Sequence, residues 1–233
     1  MISICLAAYN GGQYINIQLQ SILAQIDDLD EIIIVDDCST DETVKVIENI
    51  ADKRIRLIKN SVNLGVVKSF EKAILNANSD IVFLSDQDDI WKGDKVSQYT
   101  EIFTTNKDVT LIISNAEIIN GEGASTKDLF FKNGFPLSVS KNLISNHFLG
   151  CSIAFRKNAI KQMYPFPVNV PMHDWWIGLN HLIYGKVHFI KVPLLLYRRH
   201  GNNVTTGKRS ALTSVMKWRF IMMQALIKGF LKS

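Results

Sequence analysis

Cysteine, proline and long apolar runs are all scarce in this sequence, and each scarcity excludes something. The 233 residues hold three cysteines, Cys5, Cys38 and Cys151. Their number is odd and no spacing repeats, so neither a disulfide framework nor a cysteine-based zinc site is expected, and a reducing compartment is favoured. Five prolines and 13 glycines exclude a fibrous or low-complexity chain. No uncharged apolar stretch reaches the roughly 18 residues that a bilayer-spanning helix needs. The opening MISICLAAYN lacks the basic flank of a secretion signal and reads as a first strand. There is no Gly-x-x-x-x-Gly-Lys-Ser/Thr loop, and no Gly-x-Gly-x-x-Gly follows that strand, which disfavours P-loop nucleotidases and dinucleotide dehydrogenases.

What is present describes one folded domain, 47% hydrophobic and 21% charged. The net charge of +4 is modest but uneven, with Arg198, Arg199, Lys208, Arg209, Lys217, Arg219, Lys228 and Lys232 crowding the last quarter. Such a concentration favours an anionic partner, either substrate phosphates or a membrane surface; no nucleic-acid partner is expected.

Short β-rich runs alternate with helical patterns through the first half, the signature of a mostly parallel central sheet flanked by helices. Strands are expected at Ile2–Ala8, Glu31–Asp37, Arg54–Lys59 and Ile81–Ser85, with helical spacing after each of the first three. Further on, Val109–Asn115, Ser152–Phe155 and Val192–Tyr197 read as strands and Trp175–Tyr184 as a helix, while the polar stretch Asn120–Ser140 reads as a mobile loop. From Ser210 to Lys232 apolar residues recur at helical intervals between cations, an amphipathic basic helix. The expected division is therefore a catalytic domain over 1–208 and this helix over 209–233.

In an α/β sheet of this kind ligands sit beyond the carboxyl ends of the strands, so Tyr9-Asn10, Asp36-Asp37 and Asp86-Gln87-Asp88-Asp89 should converge on one edge. Three carboxylates within four residues repel one another unless solvated or neutralised by a cation, and Mg2+ or Mn2+ prefers carboxylate and phosphate oxygens. A plain acidic helix cap is the bland alternative. Asp36-Asp37 can accept hydrogen bonds from a ribose or a base, or simply cap a helix. In His173-Asp174-Trp175-Trp176 a carboxylate between aromatic walls suits a general base and an indole suits sugar stacking; core filling is the alternative. Arg198-Arg199-His200 offers two phosphate-binding guanidinium groups and an imidazole that completes a metal's coordination, against the alternative of a solvated basic turn.

Taken in order, these pieces resemble the inverting family-two glycosyltransferases of the GT-A fold. The matching segments are Ala8-Tyr9-Asn10-Gly11, Ile34-Val35-Asp36-Asp37-Cys38-Ser39-Thr40-Asp41, Asn63-Leu64-Gly65, Leu84-Ser85-Asp86-Gln87-Asp88-Asp89-Ile90-Trp91, Gly150-Cys151, His173-Asp174-Trp175-Trp176 and Tyr197-Arg198-Arg199-His200. Several look most like bacterial rhamnosyltransferases. The resemblance implies nucleotide contacts at Ala7, Tyr9, Asp36, Asp37 and Asp86, and a divalent metal (Mg2+ or Mn2+) at Asp86, Asp88 and His200. It also implies a general base at Asp174, an acceptor or sugar pocket formed by Gly150, Cys151, His173, Trp175 and Trp176, and phosphate contacts at Arg198 and Arg199. The implied partners are a nucleotide-sugar donor and a glycan or lipid-linked saccharide acceptor. The cysteines favour the cytoplasm, and the basic C-terminal helix suits either of two places, packed over the core or docked on the inner face of the cytoplasmic membrane where a lipid-linked acceptor is presented. Ala8 departs from the Thr or Pro of many members.

Two other classes compete. A sugar nucleotidyltransferase would need a basic Gly-rich loop after the first strand, and Ala8-Tyr9-Asn10-Gly11-Gly12-Gln13 has no Arg or Lys. A non-catalytic, membrane-associated module with a degenerate fold would have no use for Asp86, Asp88, Asp174 and His200 together.

Overall fold

The structure is a computed structural model that describes residues 1–201 and 212–230, without the side chains of 212 and 230. The boundary expected between 208 and 209 lies outside the described residues, as do Lys208, Arg209 and Lys232.

Three βα steps and a fourth strand open the chain: β1 (Ser3–Ala8), α1 (Ile15–Leu23), β2 (Glu31–Asp36), α2 (Thr43–Ile50), β3 (Ile55–Lys59), α3 (Val66–Leu75) and β4 (Ile81–Ser85). There follow a two-residue β5 (Ile90–Trp91), α4 (Lys95–Thr105), β6 (Leu111–Asn120), β7 (Ser125–Leu129), α5 (Val139–Ile144) and β8 (Ile153–Arg156). The last elements are α6 (His173–Tyr184), β9 (Val187–Arg199) and α7 (Leu212–Phe230).

The nine strands among the described residues form one sheet in the order β3-β2-β1-β4-β8-β6-β9-β5, with β7 paired to β6. β1 to β4 are mutually parallel. β8 is antiparallel to both β4 and β6, and β6 is parallel to β9, so β8, β5 and β7 run against the other six strands. β1, β2 and β4 are buried along almost their whole length because helices cover both faces, which is why they read as continuous apolar runs rather than alternating ones. β3, at the edge, is only half buried and carries Arg56 and Lys59, charges that discourage pairing with another chain.

The helices expected after the first three strands form, as does the one through Trp175–Tyr184. The segment expected to be a mobile loop does not stay irregular. β6 runs on to Asn120, β7 folds back against it, and α5 begins at Val139. Aromatic packing explains this: Phe131 packs edge-on against Phe130, Phe135 and Phe189, and Phe130 against Tyr197. Phe131 and Phe135 are buried, which anchors a polar segment whose local composition suggests no structure. α7 lays Met222 and Ala225 on the body of the domain.

Candidate active site

The loop after β1 is held by the loops after β2 and β4. Gln87 accepts a hydrogen bond from the Tyr9 amide at 2.9 Å and donates to the Tyr9 carbonyl at 3.0 Å, a two-bonded clasp between segments 78 positions apart. Gly11 lies against the Gln87 side chain so closely that a Cβ there would collide with its amide. Asn10 takes a left-handed backbone (φ 49°), a conformation Asn tolerates better than most residues. Its N–H donates to Ser39 Oγ, and its side-chain oxygen accepts from the Thr40 amide. Gly11 and Gly12 donate to Thr43 Oγ1 and Asp41 Oδ2 at 2.8 and 3.0 Å. Burial pushes the Asp41 carboxyl up, but hydrogen bonds from Thr43 and Gly12 outweigh it and hold the group below its usual range. The Ser-Thr-Asp run after β2 therefore ties two loops together as well as starting α2.

Asp36 and Asp37 are both buried at the end of β2. Asp37 Oδ1 accepts from Asn60 Nδ2 and the Leu64 amide, and Oδ2 from the Gly65 amide, each at 2.8 Å. It fixes the Asn63-Leu64-Gly65 turn beside the first two loops. Asp36 Oδ2 accepts from the Ser39 amide at 3.1 Å, while its Oδ1 is buried without a hydrogen bond among the described residues. Tyr9 is exposed and Ala7 half buried at the same edge.

The acidic loop after β4 holds the most perturbed groups. Burial, followed by the charges of Asp89, Asp88 and Asp174, pushes the Asp86 carboxyl well above its usual range. Burial and then Asp88 raise Asp89 to about 7. Asp89 Oδ1 accepts from the Arg198 amide at 2.9 Å, and Oδ2 is buried without a hydrogen bond among the described residues. Ligand atoms of Asp86, Asp89 and Cys151 lie within 4.8 Å of one another. Lys95 is fully buried beneath this cluster, where its amine donates to the Cys151 carbonyl at 2.7 Å and sits 4.2 Å from the Trp91 ring centre. Burial lowers its pKa to about 8.

β9 delivers the other side of the pocket. His200 Nε2 is 2.8 Å from Asp88 Oδ2, and its ring rests 5.0 Å from that of Tyr14. Arg198 is buried: Nε donates to the Asp88 carbonyl at 2.7 Å, Nη1 to the Gly121 carbonyl at 3.0 Å, and the guanidinium lies over Tyr14. A guanidinium committed this way braces the acidic loop and the β6–β7 turn, which corrects its expected role as a phosphate contact. Arg199 is exposed beside Tyr197.

Asp174 opens α6. Burial raises its carboxyl to about 6 against hydrogen bonds from the Trp175 amide, the Asn146 side chain and the Gly150 backbone. A Cβ on Gly150 would stand 3.0 Å from His173 Nε2 and 3.3 Å from the Asp174 Cβ, so that position favours a residue without a side chain. The expected sugar pocket is otherwise corrected. Trp175 and Trp176 are buried with their indole N–H groups donating to the Asn142 and Met163 carbonyls, so they present no stacking face. His173 is buried and stacked 3.9 Å from Phe70, and burial alone depresses it to about 3. The Cys151 thiol is buried and raised well above its usual value, first by burial and then by Asp89 and Asp86. The apolar spacing at this segment marks core, and a surface Trp and a core Trp look alike in a sequence.

Asp86 and Asp88 supply carboxylates, donors that suit Mg2+ or Mn2+, and His200 an imidazole, which suits Mn2+ better than Mg2+; the mutual repulsion of the buried carboxylates fits a cation-balanced pocket. A protonated Cys151 thiol is a poor ligand for either metal. The residues that sequence reasoning did not single out are Gln87 as a clasp, Lys95 beneath the acids and Asn146 on the Asp174 carboxylate.

The mixed sheet, parallel over its first four strands and with acids gathered at their carboxyl ends, has the GT-A-type glycosyltransferase fold. Residues 3–164 match glycosyl transferase family 2, and the chain belongs to that family. It is 36% identical over 212 residues to the Escherichia coli UDP-Glc:alpha-D-GlcNAc-diphosphoundecaprenol beta-1,3-glucosyltransferase WfaP, covering 89% of this chain and 81% of that one. It is 29% identical to the Shigella flexneri dTDP-rhamnosyl transferase RfbG, covering 85% of this chain and 72% of that one. Among solved structures it superposes on S. aureus TarS 1-349 in complex with UDP-GlcNAc with a TM-score of 0.73 at 18% identity, covering 95% of this chain and 66% of that one. It spans 60 to 68% of the length of further curated relatives.

Proposed function

We propose that this chain transfers a sugar, with inversion, from a nucleoside-diphosphate donor to a hydroxyl of a glycan or lipid-linked saccharide. The observation that carries the reading is the placement of Asp174. Its carboxyl, raised to about 6, opens α6 against Gly150 and acts electrostatically on Asp86, so a single base lies within electrostatic reach of the acidic loop. A base poised there takes the proton of the acceptor hydroxyl as its oxygen attacks the anomeric carbon. One carboxylate suffices, unlike the paired carboxylates of glycosidases. Attack opposite the leaving group inverts the centre. Asp86, Asp88 and His200 would hold a divalent cation, which when bound supplies positive charge to the departing diphosphate. Ala7, Tyr9, Asp36 and Asp37 line the edge where the nucleoside fits, with Asp37 fixing the loop and the spare Asp36 oxygen available to a donor group. The names of the two bacterial relatives support a glucosyl or rhamnosyl donor and, for the first, a diphospholipid-linked acceptor.

The test is a panel of UDP- and dTDP-sugars scored by thermal shift and nucleotide release, with Mn2+, Mg2+ or chelator. Release that requires the cation, together with a loss of roughly a hundredfold or more in turnover for Asp174→Asn at unchanged donor binding, is the expected result. Turnover by Asp174→Asn within a few-fold of the parent, or activity indifferent to chelator, overturns the mechanism.

A further inference from the structure

The outward face of α7 is apolar where a solvent-facing helix is normally polar. Met216, Phe220, Met223 and Ile227 are 58, 57, 43 and 60% exposed. Their spacing of four, three and four residues lines them up along one side; at about 100° per residue they fall within a sector of about 60°. Met222 and Ala225, on the opposite side, are the buried anchors. Lys217 and Lys228 flank the stripe on one side, Arg219 lies on the other with its Nε turned inward and buried, and no acidic residue occurs from Leu212 to Phe230. None of the three cations has a carboxylate partner among the described residues. An apolar stripe bordered by long, exposed lysine side chains is the pattern of a helix lying in an anionic interface, its stems reaching back to the phosphates. No described helix is long and apolar enough to cross the bilayer instead.

The inner face of the same helix borders two cavities, one of which reaches Asn146, the partner of Asp174. Trp218 separates a cavity of about 450 Å3, lined also by Lys217 and Asn169, from one of about 200 Å3 lined also by Arg219, Met172 and Asn146. Asn146 donates to Asp174 at 3.3 Å. We propose that α7 is a membrane-interface helix. Met216, Phe220, Met223 and Ile227 enter the surface of an anionic bilayer, the flanking lysines meet its phosphates, and the cavity that reaches Asn146, the partner of Asp174, is held beside acceptors carried in that surface. The purpose assigned to this contact rests on the glycosyltransferase reading; the adsorption does not.

Co-sedimentation of the full chain with vesicles tests it. Phosphatidylcholine mixed with phosphatidylglycerol should pellet the protein, phosphatidylcholine alone should pellet much less, and added salt should release it. Phe220→Glu with Met223→Glu should weaken binding by at least about tenfold at unchanged melting temperature, since each substitution removes a large exposed apolar group that the bilayer would cover. Should that pair fail to fold, Lys217→Gln with Lys228→Gln leaves the apolar face intact and should weaken binding to the anionic vesicles alone, by about tenfold. Wild-type protein that ignores anionic vesicles, variants that bind as it does, or a stripe consumed in a Phe220-dependent dimer without vesicle binding overturns the proposal. Failure of the glycosyltransferase reading appears separately, as no thermal shift with any nucleotide-sugar in the same preparation.

Discussion

Gln87 and Tyr9 exchange two hydrogen bonds, side-chain amide to backbone amide and carbonyl, and so lock the acidic loop after β4 to the loop after β1. Gln87→Ala removes both bonds while leaving every carboxylate in place. Each such bond is worth about 0.5–1.5 kcal/mol, with the lower end apt here because the contact is exposed. The expected outcome is a drop of a few degrees in melting temperature and a donor KM raised several-fold with kcat changed less. An unaltered donor KM would show that the clasp does not position the nucleotide loop.

Asp174 must be ionised to act as a base, and its pKa is raised to about 6. Activity should therefore climb with pH through about 6 and level off above 7, lying about tenfold lower at pH 5 than on the plateau. The Asn146 side chain donates to this carboxylate and favours its charged form. Asn146→Ala should move the acid limb to higher pH; a pH profile that stays put would separate Asp174 from the rate-limiting proton transfer.

Neutralising Asp89 should stabilise the fold while impairing the enzyme. Its carboxyl is raised from 3.8 to about 7 by burial and by Asp88, so the folded state binds the proton more tightly than the unfolded chain. A group of that sign stabilises below 3.8 and loses its contribution as pH rises through about 7, at up to about 1.4 kcal/mol per pH unit. Asp89→Asn keeps an oxygen for the Arg198 amide and removes the charge. Its gain in melting temperature, measured without metal, should grow between pH 4 and pH 7 and flatten beyond. A uniform loss at every pH would show that the anion is satisfied in the folded protein.

Two histidines carry the opposite sign. Burial lowers His173 and His181 from 6.5 to about 3, so the unfolded chain takes up protons that the folded one refuses. Each should cost about 1.4 kcal/mol per pH unit as pH falls below 6.5 toward 3. Because the raised carboxylates run the other way, wild-type stability alone is not diagnostic. The measurement is the difference between wild type and His181→Gln in urea midpoint across that window: the variant should lose less on acidification.

The parallel half of the sheet and its acidic strand ends were legible because each element announces itself locally. Ile4 to Leu6 and Ile32 to Val35 are apolar runs, and a carboxylate that directly follows such a run stands at the ligand edge of a parallel sheet by topology alone. What escaped is what only distant segments decide. Lys95 reads as an ordinary residue in the first turn of a helix, yet it is buried under the acids because the Cys151 carbonyl, 56 positions away, receives its amine. Trp175 and Trp176 suit a sugar platform or a core equally well by residue type, and the carbonyls of Asn142 and Met163 decide for the core. The stretch from Asn120 to Ser140 is polar in composition, and its order comes from three phenylalanines meeting Phe189 and Tyr197 on a strand some sixty positions later.

The reach of Arg198 back to Asp88, Asn120 and Gly121 orders events during synthesis. A nascent polypeptide that has released β1 to β8 but not β9 already carries all three acids of the Asp86–Asp89 loop, with neither the Arg198 brace nor the His200 ring to restrain them. The pocket can therefore be assembled only after the penultimate element has left the ribosome, and chains interrupted before that point should emerge with their acidic turn splayed and open to proteolytic cleavage.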